Sequence, residues 1–335
     1  MKNISAPIVE FQNIGKSYGS LQVIENLNLS VAQGEFLVLI GPSGSGKSTL
    51  LKMINRMEGH DAGKILFEGR EIYSEGVREL RLRMGYAIQS VGLFPHWTVA
   101  RNIATVPQML RWPKEKINRR VDELLELFQL DPAVFRSRYP HQLSGGQQQR
   151  IGVARALAAD PAILLMDEPF GALDPATRAA LQIEIKRIHR TSGKTIVLVT
   201  HDIDEALFLA TRIVLLDAGR IVQAASPFDL LAFPASAFVT DFAGRSDIGI
   251  KLLSLQPIAP LLKSFDLINT SNASLPAIAH HATLREAVSL MAAEGVSALQ
   301  VLQPGCILAA GQTPEPAQVA GTVQAANLLE SVRHG

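Results

Sequence analysis

The segment Gly41-Pro-Ser-Gly-Ser-Gly46-Lys47-Ser48 decides the fold of this 335-residue chain. It matches the pattern G-x-x-x-x-G-K-[ST], and it stands between the apolar run FLVLI at 36–40 and a helix-like run that begins at Thr49. Glycines in such a loop let successive backbone N–H groups turn inward, and the N-terminus of the following helix adds positive potential. The pattern therefore predicts a phosphate-binding loop between a strand and a helix.

The residue types in this loop predict a site for a nucleoside triphosphate and Mg²⁺. Lys47 is expected to contact the β- and γ-phosphates, and the hydroxyl of Ser48 is expected to bind the metal ion. The predicted nucleotide-binding residues of this segment are Gly41, Pro42, Ser43, Gly44, Ser45, Gly46, Lys47, Ser48 and Thr49.

Short apolar runs recur along the first 250 residues and predict buried strands. They lie at residues 36–40, 163–166, 196–199 and 213–216. Runs of this length without alternation are typical of strands covered on both faces, as in a parallel sheet. Segments with apolar residues at helical spacing stand between them, at 118–128 and 178–189. This alternation of strands and helices predicts an α/β fold.

Two carboxylates, Asp167 and Glu168, follow the apolar run at 163–166. The carboxyl end of a strand in a doubly wound sheet lies at the edge where ligands bind, beside the phosphate loop. Asp167 is therefore expected to belong to the metal site. Glu168 is expected to polarise the attacking water as a general base.

The pentapeptide Leu143-Ser144-Gly145-Gly146-Gln147 predicts a second anion-binding helix terminus. Ser144 is a suitable N-cap, and the two glycines leave the first amides of the helix exposed. One nucleotide site rarely needs two such termini from the same chain.

At this pentapeptide the chain resembles the ATPase subunits of ATP-binding cassette (ABC) transporters, whose signature sequence it matches. The resemblance extends over residues 8–245 and implies ATP and Mg²⁺ as cofactors. In that family the signature segment caps the γ-phosphate bound by a second subunit, which assigns Ser144, Gly145, Gly146 and Gln147 to nucleotide binding. The resemblance thus implies a head-to-tail homodimer with two composite sites.

The same resemblance assigns roles to four further residues. Tyr18 is similar to the aromatic residue that stacks on adenine, and Asp174 to the loop that crosses the dimer interface. Gln89 is similar to the glutamine that contacts Mg²⁺ and the attacking water, and His201 to the histidine that binds the γ-phosphate. The resulting expectation is catalysis by Glu168, His201 and Gln89, with Ser48, Gln89 and Asp167 at the metal.

The expected fold is an α/β P-loop NTPase of the ABC cassette type, a mixed β-sheet core with a helical subdomain at about 90–158. The cassette is predicted to occupy residues 1–245. Charge density falls by about half beyond residue 250, so a linker is predicted at 246–274 and a small α+β domain at 275–335. The small domain resembles the CBS module of regulatory proteins.

The pattern of the tail predicts a β-α-β-β-α unit. Thr283 and Glu286 form a capping box that opens a helix reaching about Met291. Two strands are expected at 298–302 and 307–310, and a closing helix at 323–329.

The segments at 92–107 and 234–244 resemble the osmoprotectant group of importer ATPases, which act on glycine betaine, choline or carnitine. This resemblance implies transmembrane permease subunits as partners, a periplasmic or extracellular substrate-binding protein as an indirect partner, and a peripheral location on the cytoplasmic face of the inner (cell) membrane. Phe94, Trp97, Val99 and Ile103 either dock a permease helix or form the subdomain core, and the sequence alone leaves both interpretations open.

Composition limits which alternative functions of the chain stay open. With 32 basic and 31 acidic side chains, the net charge of +1 predicts no general attraction to nucleic acid. No uninterrupted run of about 18 apolar residues is present, and the single cysteine, Cys306, fits a reducing compartment. An importer ATPase for an amino acid, polyamine or sulfonate stays open. So do two further alternatives, a non-transport cassette ATPase acting on nucleic acid or ribosomes, and a ligand sensor.

Overall fold

The computed structural model describes residues 7–88, 92–262, 275–306 and 314–325. The chain forms two compact units, Met1–Pro227 and Phe228–Gly335. The division lies upstream of the predicted boundary at residue 245, because residues 228–245 group with the tail. No helix among the described residues is both long and apolar enough to cross a membrane.

The first unit contains two sheets and nine α-helices among its described residues. The strands are β1 (Val9–Tyr18), β2 (Leu21–Val31), β3 (Phe36–Ile40), β4 (Ala62–Phe67), β5 (Arg70–Glu71), β6 (Met84–Ile88), β7 (Ile163–Asp167), β8 (Thr195–Val199), β9 (Arg212–Asp217) and β10 (Arg220–Ala225). The helices are α1 (Lys47–Ile54), α2 (Val77–Leu82), α3 (Val99–Ile103), α4 (Thr105–Met109), α5 (Lys114–Leu127), α6 (Pro132–Phe135), α7 (Gly145–Leu157), α8 (Pro175–Ser192) and α9 (Ile203–Leu209).

The larger sheet has the strand order β10-β9-β3-β8-β7-β6. All neighbouring strands in it are parallel except β9 and β10, which form an antiparallel edge. Every residue of β3 and of β8 is buried, as expected for strands covered on both faces. The predicted α/β fold with a mixed sheet is confirmed.

The smaller sheet, in the order β2-β1-β4-β5, is antiparallel. Its buried side chains form one apolar cluster together with side chains of α1 and of the larger sheet. Phe67 of β4, Leu50 of α1 and Leu39 of β3 belong to this cluster. This cluster fixes α1, and with it the loop before α1, against the sheet.

Helix α8 begins and ends at residues that favour helix termini. Asp174 caps α8 by accepting a hydrogen bond from the backbone N–H of Thr177, and Pro175 occupies the first helical position. The helix ends at Gly193, whose φ of 62° is the left-handed conformation common after helices. In the region predicted as a helical subdomain, α3, α5 and α7 contact one another.

The second unit contains a three-stranded sheet and a capped helix. Its elements are α10 (Pro227–Ala232, which begins at the last residue of the first unit), α11 (Ala237–Ala243), α12 (Ile248–Leu255), β11 (Ala277–Ile278), α13 (Leu284–Glu294), β12 (Ala298–Leu302) and β13 (Val319–Gln324). The strand order is β11-β12-β13. The predicted capping box is present: Thr283 accepts from the N–H of Glu286, whose side chain accepts from the N–H of Thr283.

Two predictions for the tail need correction. Val323 and Gln324, placed at the start of a closing helix, lie in β13 instead, and the first described helical residue is Ala325. Val323 pairs with Leu299 of β12 and belongs to the apolar core of the tail, so the tertiary contact favours the strand here. The segment predicted as a linker carries α12, and the fully buried Ile258 belongs to the apolar core of the tail. The strand predicted at 307–310 and residues 326–329 of the predicted helix lie outside the described residues.

Candidate nucleotide-binding site

The phosphate loop follows β3 and leads into α1, as predicted. Gly41 has a φ of +145°, and a Cβ built there would lie 2.1 Å from the carbonyl oxygen of Leu216. Gly46 has a φ of +97° and offers no side-chain cap to α1. A bulkier residue at position 41 would displace the loop from β9, so the glycine is a steric requirement.

Lys47 is the charged group held inside this loop. Its side chain is buried, and Nζ donates to the carbonyl oxygens of Gly41 and Pro42 at 2.8 and 2.7 Å. Burial lowers the pKa of Lys47, while the charges of Glu168 and Asp167 act in the opposite direction. A desolvated ammonium at the end of a glycine-rich loop is a strong binding site for phosphate oxygens.

Ser48 and Asp167 meet at the carboxyl ends of β3 and β7. The Ser48 hydroxyl donates to Oδ1 of Asp167 at 2.8 Å, which brings together two of the three predicted metal ligands. Hydroxyl and carboxylate oxygens are the hard donors that Mg²⁺ prefers, and such sites are usually completed by water and substrate phosphates. The donor set therefore fits the ion.

Glu168 and His201 face each other at the ends of β7 and β8. Oε2 of Glu168 lies 3.5 Å from Nδ1 of His201. The N–H of Glu168 donates to the carbonyl of Val199 at 3.0 Å, which connects the two strand ends. The side chain of His201 is 65% exposed and that of Glu168 is 29% exposed, so both can reach a water molecule and a phosphate.

Tyr18, the predicted adenine contact, lies at the end of β1 beside α1. Its pKa is raised mainly by partial burial and by the charge of Glu58, whereas the neighbouring Thr49 side chain acts in the opposite direction. The Nζ of Lys16 is 5.0 Å from the ring centroid. The contact with Thr49 places Tyr18 next to the phosphate loop, and its adenine-stacking role stays a prediction.

The signature turn and the Asp174 turn lie side by side. Ser144 and Gln147 form a capping box at the start of α7, with hydrogen bonds of 3.0 and 3.3 Å. A Cβ on Gly146 would come within 2.1 Å of Cγ2 of Thr177, in the first turn of α8, whereas one on Gly145 would meet nothing. Among the described residues, no hydrogen bond or ion pair joins Ser144 or Asp174 to the phosphate loop.

Hydrogen bonds from the side chain and the backbone N–H of Thr177 hold the pKa of Asp174 below its usual value. Gln89, predicted to contact both the metal and the attacking water, lies outside the described residues. Its role stays a prediction.

The structure separates the two interpretations left open for residues 94–103. Val99 and Ile103 are fully buried and belong to the core, whereas Phe94 is 44% exposed. The rings of Phe94 and Trp97 lie 4.3 Å apart. Asn102, which the sequence analysis missed, holds their turn together.

The buried Asn102 accepts a hydrogen bond from the N–H of Phe94 at 2.8 Å. Its amide group donates to the carbonyls of Phe94, Trp97 and Thr98. The available sequence signal was a single amide inside an otherwise apolar helix face.

A phosphate loop, a hydroxyl–carboxylate pair and a carboxylate–imidazole pair at one edge of a parallel sheet define a P-loop nucleotide-hydrolysing protein. Residues 24–171 match the family described as ABC transporter. YehX of Escherichia coli (strain K12), a glycine betaine uptake system ATP-binding protein, is 57% identical over 295 residues, 88% of this chain and 94% of YehX.

The choline transport ATP-binding protein OpuBA of Bacillus subtilis (strain 168) is 47% identical over 303 residues, 90% of this chain and 77% of OpuBA. Among solved structures, the dimeric bacterial ABC transporter cassette MJ0796 is 33% identical with a TM-score of 0.59, over 65% of this chain and 98% of the cassette. The chain belongs to the ABC transporter family, as one of its ATP-hydrolysing subunits.

Proposed function

We propose that the chain is the energy-coupling ATPase of an importer for quaternary-amine osmoprotectants such as glycine betaine or choline. The solute class is supported by the similarity to YehX and OpuBA along most of their length. One observation carries the hydrolytic role: the Glu168–His201 pair stands at the same sheet edge as Lys47 and the Ser48–Asp167 pair.

The proposed reaction is attack of water on the γ-phosphorus of ATP, with cleavage of the bond to the β-phosphate oxygen. Glu168 accepts the proton of the water, and His201 binds the γ-phosphate. Lys47 exchanges the neutral carbonyls of Gly41 and Pro42 for anionic phosphate oxygens. This exchange compensates the burial that lowers its pKa.

Ser48 and Asp167 would hold Mg²⁺, with Gln89 as the third predicted ligand. When bound, the ion neutralises charge on the β- and γ-phosphates and orients them.

We further propose a head-to-tail homodimer in which Ser144 and Asp174 of one protomer complete the site of the other. Within the described residues these two turns abut each other but make no hydrogen bond to the phosphate loop of the same chain. The similarity to a dimeric cassette also supports this arrangement. ATP would then bind between two protomers and hold them together, and hydrolysis would release them.

The proposed contact with the permease is the surface formed by the exposed Phe94 and the half-buried Trp97. Arg101 stacks on the Trp97 ring at 4.3 Å, and Asn102 fixes the turn that presents both aromatics. An aromatic pair that is partly exposed on a fixed turn is suited to bind an apolar partner surface. The subunit would act on the cytoplasmic face of the inner (cell) membrane, and a substrate-binding protein would deliver the solute from the other side.

Reconstitution with its permease and substrate-binding protein tests the assignment. We expect glycine betaine, choline or carnitine to stimulate hydrolysis of ATP, and spermidine, taurine and amino acids to have no effect. Stimulation by one of the latter solutes alone would overturn the solute class without affecting the ATPase assignment.

The permease contact has its own test. The double variant Phe94→Ala/Trp97→Ala should keep the ATPase rate of the isolated subunit and lose the stimulation by solute. Trp112→Ala, which removes the second tryptophan of the subdomain, is the matched control and should keep both. Retained stimulation in the double variant would exclude this face as the permease contact.

A further inference from the structure

The turn that carries His201 is held by a buried carboxylate on the following helix. Glu205 of α9 is only 6% exposed and Thr200 only 2%. The Thr200 hydroxyl donates to Oε2 of Glu205 at 2.6 Å and accepts from the N–H of Asp202 at 3.1 Å. The residues before and after His201 are thus tied to one carboxylate.

The same carboxylate is connected to α8. Oε1 of Glu205 accepts a hydrogen bond from Nε2 of Gln182 at 3.2 Å. Arg178, one turn earlier on α8, lies 4.0 Å from Glu205 and 3.9 Å from Asp202. Its Nη2 donates to the carbonyl of Leu173 at 3.3 Å, the residue directly before Asp174.

The imidazole of His201 extends from this turn toward solvent. Its side chain is mostly exposed, and it approaches Glu168 at 3.5 Å. The backbone before it is anchored by the N–H of Thr200, which donates to the carbonyl of Leu39 at 3.2 Å. The direction of the imidazole therefore depends on the turn, and the turn depends on Thr200 and Glu205.

We propose that Glu205 and Thr200 are positioning residues for His201, and that through Gln182 and Arg178 they couple its orientation to the Asp174 turn. This inference rests on the proposed role of His201 at the γ-phosphate. A displacement of about 1 Å in a group that orients substrate or water reduces the rate by up to about 100-fold. Loss of the Thr200–Glu205 contact should thus lower kcat and spare the binding of ATP.

The charges around Glu205 fit a carboxylate that is held in place by its neighbours. Burial raises its pKa, and Asp202 adds to this effect, whereas the Thr200 hydroxyl, Arg178 and His201 lower it. Arg178 is the basic residue that faces both acidic groups. The positive charge of Arg178 compensates the two negative charges of Asp202 and Glu205. This attraction holds α8 next to the His201 turn.

The test compares Thr200→Val with Thr200→Ser in the full chain. Valine has the shape of threonine without the hydroxyl, and serine retains the hydroxyl. For Thr200→Val we expect kcat to fall about 10- to 100-fold, with the KM for ATP and the Kd for a fluorescent ATP analogue unchanged. Thr200→Ser should recover most of the rate. Wild-type kcat in Thr200→Val would overturn the proposal.

A second comparison shows whether the contact acts through His201. Single-turnover hydrolysis of radiolabelled ATP by His201→Ala and by His201→Ala/Thr200→Val should give the same rate, because the imidazole to be positioned is absent. If Thr200→Val instead lowers the rate of His201→Ala by the same factor as it lowers the wild-type rate, Thr200 only stabilises the fold, and the proposal fails. Full activity of His201→Ala would instead overturn the role of His201 itself.

Glu205→Gln is the second variant in case Thr200→Val does not fold. It keeps the size of the side chain but replaces one acceptor oxygen with a donor, so that it cannot accept from both Thr200 and Gln182. We expect the same split, a lower kcat with unchanged binding of ATP. Unchanged kcat in this variant would contradict the proposal equally.

Discussion

Glu168 occupies a backbone conformation that few residues other than glycine adopt. Its φ is +46°, in the left-handed region, which is costly for residues with a Cβ. The conformation persists because the N–H of Glu168 donates to Val199 and its carbonyl accepts from Gly171. Strain of this kind gathers at functional sites, where the surrounding structure holds one side chain in place.

Changing Glu168 to Gln tests the role of this carboxylate. The amide keeps the shape but cannot accept a proton from water, so kcat should fall by about 10²- to 10⁴-fold. ATP should still bind, and an ATP-loaded dimer should accumulate on size-exclusion chromatography. Glu25→Gln, which alters an exposed glutamate paired with Arg220, is the control and should leave the rate unchanged. Near-normal hydrolysis by Glu168→Gln would remove Glu168 from its role.

The buried carboxyl of Glu205 predicts a pH dependence of stability. Its folded-state pKa is raised, mainly by burial, so the folded protein holds this proton at a higher pH than the unfolded chain does. The contribution of Glu205 to stability is therefore full below its unfolded pKa and is lost as the pH rises through the folded pKa. Urea unfolding of wild type and Glu205→Gln between pH 4 and pH 8 measures it. The stability of the variant relative to wild type should increase with pH, and a constant difference would contradict the shift.

At the scale of elements, α7 begins with the signature turn, and its capping box is complete within one chain. Both the serine hydroxyl and the Gln147 side chain are used in that box. The exposed Gly145 and the half-buried Gly146 next to it leave backbone N–H groups that can meet a phosphate from another molecule. The signature turn at the start of α7 is therefore formed within a single protomer and does not require the dimer.

Ser144→Arg should block hydrolysis while a single protomer still binds ATP. The bulky side chain fills the surface over the first turn of α7, and loss of the cap costs about 1 kcal/mol, too little to unfold the unit. Hydrolysis and binding of a fluorescent ATP analogue are the two measurements. Ser236→Arg, an exposed N-cap position without a side-chain cap bond, is the matched control. Normal hydrolysis by a strictly monomeric Ser144→Arg variant would contradict the composite site.

Helices and strands could be predicted from the sequence where a local residue pattern determines them. Continuous apolar runs identified β3, β7 and β8, and the N-cap Ser144 and the capping-box pair Thr283/Glu286 identified two helix starts. Val323 and Gln324, the first two residues of the predicted closing helix, were misassigned because their strand character depends on pairing with β12, a tertiary contact.

The residues of the candidate site could likewise be predicted only where a sequence pattern identifies them. Lys47, Ser48, Asp167 and Glu168 were predicted from motifs and strand ends and His201 from the family resemblance, and the structure brings them together. The buried contacts of Asn102 and Thr200 join residues whose proximity no local pattern encodes.

At the scale of the molecule, all predicted site residues lie in the first unit, and the tail has an apolar core of its own. Removing residues 247–335 should therefore leave the binding of ATP and the basal hydrolysis of the remaining chain intact. The cut precedes α12, since that helix contacts α13. Isothermal titration with ATP and a phosphate-release assay test this. A truncated protein that folds by circular dichroism but no longer binds ATP would show that the tail is part of the nucleotide site.

The two glycines at 41 and 44 carry a consequence for laboratory evolution. Position 41 has no room for a side chain, because even a methyl group would collide with the neighbouring strand. At position 44, in contrast, nothing lies within 4 Å of a Cβ. There only the φ of +81° restricts the choice, and asparagine and aspartate tolerate such angles. A library randomised at both codons and selected on immobilised ATP should return glycine alone at 41, and glycine, asparagine and aspartate at 44.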